Sequence, residues 1–270
     1  MAFARQGAWA AERIPLGVQL YTVRRQAEQD LPDVLGQIHR IGYHEVETYG
    51  GLYSYTAEAL QHVIAGAGLS APSGHFNYNE LDSRFNYAKE LGLSWIVCSM
   101  ISPSLWNSLG GFETAAKQFN VWGGRAREMG MRFAFHNHDY EFRPLPPPQA
   151  SLTGYEVLIR QTHPDLVFFE IDCYWAAQAG HDPVQLMQRL GPRVKMLHLK
   201  DRKAGFPPSY EMNTASAHFV PVGSGSLDWK AILAKAEDLG VEHYFVEQDQ
   251  TAIPPIDAIR RSYDYLRSIT

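Results

Sequence analysis

Cysteine is nearly absent: the 270 residues hold two, Cys98 and Cys173, each inside an apolar run (WIVCSM and EIDCYW). Both read as small buried side chains, expected reduced; the sequence does not ask for the one disulfide they could form. No apolar run approaches the ~18 residues of a membrane span, so no membrane partner is expected. No Lys/Arg-rich block occurs either. The 24 basic and 29 acidic residues are mixed along the chain, with a net charge of −5, and nucleic acid is not an expected partner. Residues 1–7 lack the apolar core of a secretory signal, although Ala8-Trp9-Ala10 has the small-x-small form of a cleavage site. A cytoplasmic protein is expected, with the periplasm the alternative if this tail is the remnant of a longer exported precursor.

What is present is a rhythm. From Leu16 onward, short apolar strand-like runs alternate with stretches of helical spacing. LGVQLYTV precedes LPDVLGQIHRIG, whose Leu31, Val34, Leu35 and Ile38 share one helical face and whose Gly42 is placed as a C-terminal cap. YHEVETYG, LSAPSGHF, SWIVCSM, FAFHNH, LVFFEID, VKMLHLKD and HYFVEQD follow, each before a helical stretch. The proline in LSAPSGHF predicts that its first part is a loop or edge. Eight strand–helix pairs most economically close into a parallel (β/α)8 TIM barrel, with residues 1–13 a tail and 14–270 a single catalytic domain. An open doubly wound sheet would want a glycine-rich turn after the first strand, where Tyr21-Thr22-Val23-Arg24 stands. The polar stretch 202–225 is too long for a simple connection and is expected to cover the mouth of the barrel.

Barrel active sites lie where the strands end. Residues 133–142, FAFHNHDYEF, are the clearest such end: an apolar run opening into His136, Asn137, His138 and Glu141. Asp172 after VFFEI, His198 and Lys200 in LHLKD, and Glu247 after YFV repeat the shape. Gln19, Glu47 and His75 end the earlier strands, and Trp175 offers a flat wall on which a sugar ring could stack. A buried unpaired carboxylate at Asp172 would be costly, so a metal or cationic partner is expected there. His198 and Lys200 share a strand parity and point the same way. Lys200–Asp201 also reads as a plain surface ion pair. Carboxylate and imidazole ligands without thiolate suit Mn2+, Mg2+, Zn2+ or Co2+, and the carboxylate share favours Mn2+.

GVQLYTVR, HNHDYEF, EIDCYWAAQAGHDP, HLKD, VGSGSLDW and FVEQD, in this order, resemble the sugar phosphate isomerase/epimerase family, the xylose-isomerase-like branch of TIM barrels. The likeness runs from Ile14 to the C-terminus. It implies one divalent metal, held by Glu, Asp, His and Glu at the ends of strands five to eight, and a homodimer. Asp172, His198 and Glu247 match the last three ligands. Where relatives carry Glu-Asn-His this chain has His136-Asn137-His138. Glu141 is therefore expected to reach back as the first ligand, with His136 the alternative, and a two-glutamate epimerase mechanism is put in doubt.

The function implied is isomerisation or epimerisation of a sugar or related polyol, by proton transfer through a metal-stabilised enediolate. Glu247 and Glu141 are expected as proton-transfer groups, with His138 alongside them. Gln19, Glu47, His75, His136, Trp175 and Lys200 would bind substrate. No glycine-rich phosphate cradle is apparent, so a phosphorylated substrate is not required. The alternatives are a lyase or hydrolase of 3-keto-glycosides, an inosose-type dehydratase on the same site, and a sugar-binding barrel without turnover.

Overall fold

Eight short runs with a two-residue alternation form eight parallel strands: β1 (Leu16–Gln19), β2 (Glu45–Thr48), β3 (Ser70–Asn77), β4 (Trp95–Met100), β5 (Arg132–His136), β6 (Val167–Asp172), β7 (Val194–Leu199) and β8 (His243–Val246). Each pairs with its sequence neighbours and β1 pairs with β8, so the sheet closes into the expected barrel. The computed structural model of the protein describes residues 14–212 and 218–270. The tail expected over 1–13, and 213–217 of the long insertion, lie outside the described residues. Among the described residues no helix is long and apolar enough to cross a membrane, and both cysteines are buried and unpaired.

The helices are α1 (Arg24–Ile41), α2 (Ala57–Gly66), α3 (Leu81–Leu91), α4 (Leu109–Glu128), α5 (Gly154–Gln161), α6 (Cys173–Gln178), α7 (Pro183–Leu190), α8 (Trp229–Leu239) and α9 (Pro255–Ile269). Helix α1 starts at Arg24, about two turns before the expected Leu31. It breaks at Asp30 (φ −154°, ψ 85°), whose Oδ1 accepts from Asp33 N at 3.0 Å and so caps the second segment. Gly42 ends it at φ 117°, as its position predicted.

Three local expectations change. The first strand stops at Gln19, whose side chain accepts from Tyr21 N at 3.1 Å and turns Leu20–Val23 into a 3-10 helix. Pro72 sits inside β3 rather than in a loop. The β2–β3 register shifts between Glu45 and Glu47, a bulge that absorbs the missing donor, while the Pro72 carbonyl still accepts from Ser94 N at 2.8 Å. Helix α6, not foreseen, begins directly after β6 because Asp172 caps it, accepting from Trp175 N at 2.9 Å.

The barrel interior is layered. A small cluster of Trp95, Val97, Ala134, Met196 and Phe245, with Phe168 against it, fills the lower half. Two residues further along the same strands stand His136, Glu170, His198 and Glu247. The two-residue period of a strand keeps these polar groups pointing inward over the apolar plug. A separate shell of apolar side chains between barrel and helices supplies the main core.

Candidate active site

Glu47 is the hub of the lower tier. Its Oε2 accepts from Gln19 Nε2 at 2.8 Å and lies 2.7 Å from His198 Nε2, while Oε1 accepts from Ser73 Oγ at 2.7 Å. Glu170 Oε2 bonds to His75 Nε2 at 2.7 Å and to His136 Nδ1 at 3.0 Å. The His75 and His198 rings stack with centroids 5.0 Å apart. Burial works against every charge here, yet the partners overcome it. The imidazoles of His75 and His198 hold the Glu47 and Glu170 carboxyls below the usual range. In turn Glu47 and Glu170 push His75 up to about 9, and Glu170 and Glu247 push His198 well above its ordinary value. Burial and the charge on His198 together keep His136 neutral.

Lys200 dominates the upper tier. Its Nζ lies 2.9 Å from Asp172 Oδ2, 2.7 Å from Glu247 Oε2 and 2.8 Å from Asp249 Oδ1. Glu247 Oε2 also meets His198 Nδ1 at 2.8 Å. Burial opposes ionisation of Glu247, but Lys200 and His198 keep it well below the carboxylate range. Asp249 goes the other way: burial, only partly offset by Lys200, lifts it to about 6. Asn137 fixes the β6 end through Asp172 N → Oδ1 at 3.1 Å.

A cavity of about 630 Å3 opens above these groups. Its wall carries Tyr49 and the adjacent rings of His138 and Trp175, with Met212 and Phe219 coming from the long insertion. The insertion thus reaches the mouth, braced by an antiparallel ribbon of Asp201–Arg202 with Phe219–Val220. His138 turns an unpartnered Nδ1 inside this wall, and burial followed by the Lys200 charge lowers its pKa to about 3.

Of the sequence candidates, His75, His136, His138, Trp175, Lys200 and Glu247 line the cavity, whereas Gln19 and Glu47 belong to the buried network below it. Glu141 does not reach the cluster. The short helical turn Tyr140–Phe142 folds its carboxylate back on its own backbone, where it accepts from His138 N at 3.0 and 3.2 Å. Burial there raises it to about 8. His136, the alternative, has its Nε2 3.8 Å from Asp172 Oδ2. Lys200–Asp201 is not a surface pair: Asp201 is buried, accepting from Gly223 N, Gly225 N and Trp229 Nε1. A Cβ at Gly225 would collide with that carboxylate, which accounts for the second glycine of VGSGSLDW. Glu170 and Asp249 were overlooked. Both lie two residues from a recognised group, Asp172 and Glu247, and strand parity was the signal that could have found them.

The donor set fits a divalent cation. Asp172, His198 and Glu247 each offer an atom within 4.8 Å of the others, as do His75, His136, Glu170 and His198. The first group leaves His198 Nε2 on Glu47, the carboxylate–histidine arrangement that orients a metal-binding imidazole. Asp172 Oδ2 has the ammonium at 2.9 Å but no well-aligned hydrogen bond, so it keeps a lone pair for a cation.

The chain belongs to the xylose isomerase-like TIM barrel family, whose profile matches residues 35–269. It is 25% identical over 165 residues to an inosose dehydratase of Lacticaseibacillus casei, covering 57% of this chain and 53% of that one. With an inosose dehydratase of Mesomycoplasma hyopneumoniae it shares 27% over 169 residues, 58% and 54% of the two chains. The chain thus spans about half the length of the curated relatives it matches. A sugar phosphate isomerase/epimerase from Parabacteroides distasonis superposes with a TM-score of 0.80 at 24% identity, over 99% of this chain and 98% of the other. A probable 3-DHS dehydratase from Bacillus anthracis does so with 0.71 at 15%, over 94% and 99%. At these identities the two superpositions establish the fold.

Proposed function

We propose that this protein is a dehydratase-type lyase: it removes a proton from the carbon beside a carbonyl of a sugar or related polyol and expels a β-hydroxyl as water. The observation that carries this reading is that Glu247 and Asp249 face the cavity together, joined by the Lys200 ammonium at 2.7 and 2.8 Å. A base and an acid on one face suit removal of H and OH from the same side of a substrate. A two-sided epimerisation needs a second carboxylate across the ring. At the β5 end stands His136 instead, its Nδ1 engaged by Glu170.

One divalent ion, Mn2+ favoured, would be held by His136, Asp172, His198 and Glu247, and when bound it supplies Lewis-acid polarisation of substrate oxygens. Glu247 takes the proton from carbon. Asp249 returns one to the leaving hydroxyl, and Lys200 hydrogen-bonds that oxygen as charge grows on it. Trp175 and Phe219 cover an apolar face of the ring and keep water from it. The names of the sequence relatives, inosose dehydratases, support the same outcome. A second reading, one-base isomerisation, is favoured by the neutral His138, which could relay a proton between neighbouring oxygens.

The test is a panel of inososes, ketoses and keto-glycosides offered to the Mn2+-loaded enzyme in deuterated water and followed by proton NMR. A dehydrated product that Glu247→Gln forms more than ~100-fold more slowly is expected. Deuterium in an isomer without loss of water would select the second reading. No exchange with any member would end both and leave a sugar-binding barrel.

A further inference from the structure

We propose that Lys200 is a built-in competitor for the divalent ion, and that Asp249 is the seat that receives its ammonium when the ion binds. This rests on the metal-holding role proposed above for Asp172 and Glu247. The two oxygens that Nζ holds on the inner side, Asp172 Oδ2 and Glu247 Oε2, belong to the carboxylates that with His198 form one ligand group. An ammonium and a divalent ion drawn to one pair of oxygens repel each other in a site this buried.

The cavity wall shows the same conflict. Lys200, His136 and Glu247 line it, whereas Asp172 and His198 lie behind. A substrate oxygen entering from the cavity therefore meets the ammonium in the same stretch of wall as the ligands His136 and Glu247. For that oxygen to meet the ion, Nζ must step aside.

Asp249 offers the place to go. Its Oδ1 already lies 2.8 Å from Nζ and is part of neither ligand group. It is also anchored from outside the cluster. Its backbone carbonyl accepts from Arg24 Nη2 at 2.9 Å, and that guanidinium donates to Tyr21 O at 2.7 Å and lies 4.0 Å above the Tyr21 ring. The lysine can thus shift its head by rotating its stem while Asp249 stays put: Oδ1 receives the ammonium, and Oδ2 is left to carry the proton that goes to the leaving hydroxyl. Before the shift it keeps the buried carboxylates from standing unpaired. Afterwards it faces the substrate as a second cation.

Manganese titration by calorimetry of chelator-treated wild type, Lys200→Met and Asp249→Asn tests the idea. Removing the competitor should tighten Mn2+ binding by about 10-fold, and removing the seat should weaken it by a similar factor, the scale of groups that act beside a metal. Opposite signs are the signature, since mere structural damage would weaken both. Lys200→Gln, which keeps a donor without the charge, stands in if the Met variant does not fold, and Asp249→Asn reads the seat without touching Lys200. A structure of the Mn2+ complex should show Nζ released from Asp172 and still on Asp249. Wild-type affinity in the variants, or Nζ still bridging Asp172 and Glu247 beside the bound ion, overturns the proposal alone. Wild type that takes up no divalent ion removes the metal reading itself, and the competitor with it.

Discussion

At the N-terminal end of the barrel Arg132 grips Glu242 with two bonds of 2.8 and 2.6 Å and lies 3.8 Å over the Trp95 ring, while His243 pairs with Glu45 at 2.9 Å. At the C-terminal end Glu47, Glu170, Asp172 and Glu247 crowd onto shared imidazoles and one ammonium, all buried. Both ends use carboxylates, histidines and a cation. Below, Glu242 serves Arg132 and Lys195 and Glu45 serves His243, all in partial contact with water, which makes such pairs cheap and modestly stabilising. Above, single oxygens serve several partners in a dry site, an arrangement that apolar residues could replace at little loss of stability. Strongly shifted groups gathered in a cleft mark a place kept for chemistry.

Breaking the upper cluster should have the largest consequence. His198→Ala removes contacts to Glu47, Glu170 and Glu247. Bound Mn2+, measured by elemental analysis after dialysis, should fall by more than ~100-fold in affinity, beyond what the loss of an indirect contact causes. A variant that still holds one ion per chain would mean that the two ends differ only in burial. Next is Glu170→Gln, which leaves His75 and His136 without their shared carboxylate. Urea unfolding should show a loss of about 3–5 kcal/mol, as for a broken buried pair.

Glu141 sharpens the contrast, being a buried carboxyl at the upper end but outside the cluster. Its folded pKa of about 8 lies above the ordinary 4.5. Its contribution to stability is therefore full below the ordinary value and is lost as pH rises through about 8. Melting curves from about pH 5 to about pH 8 should fall less steeply for Glu141→Gln than for wild type. Parallel curves would show that the two His138 N contacts hold the carboxylate ionised. The smallest effect is expected below. Arg132→Ala should cost about 1 kcal/mol, the scale of a partly exposed pair, and leave Mn2+ affinity unchanged.

Several levels of this protein were legible from local pattern. Two-residue alternation, helical spacing and the Gly42 cap act over a few residues, so the barrel could be read before any contact was known. Asp172, His198 and Glu247 were visible for the same reason: an ionisable group after an apolar run must find a partner at the strand's end. Glu170 and Asp249 carry the same signal one parity step away, masked by the more conspicuous Asp172 and Glu247 beside them.

What the chain alone did not decide was which groups meet. Glu141 and His136, five residues apart, are the expected and the alternative candidate for one ligand position. A single helical turn folds one onto its own backbone, while strand parity points the other at Asp172. Lys200 reads equally as a substrate-binding group and as half of a surface pair with Asp201; closure of the barrel brings it to Asp172, Glu247 and Asp249 and hands Asp201 to a loop beside α8. Alternation is a property of each strand by itself. Which oxygen an ammonium shares is set by strands 28 to 49 residues apart in sequence (Lys200 to Asp172 and to Asp249) and adjacent only once the sheet has closed.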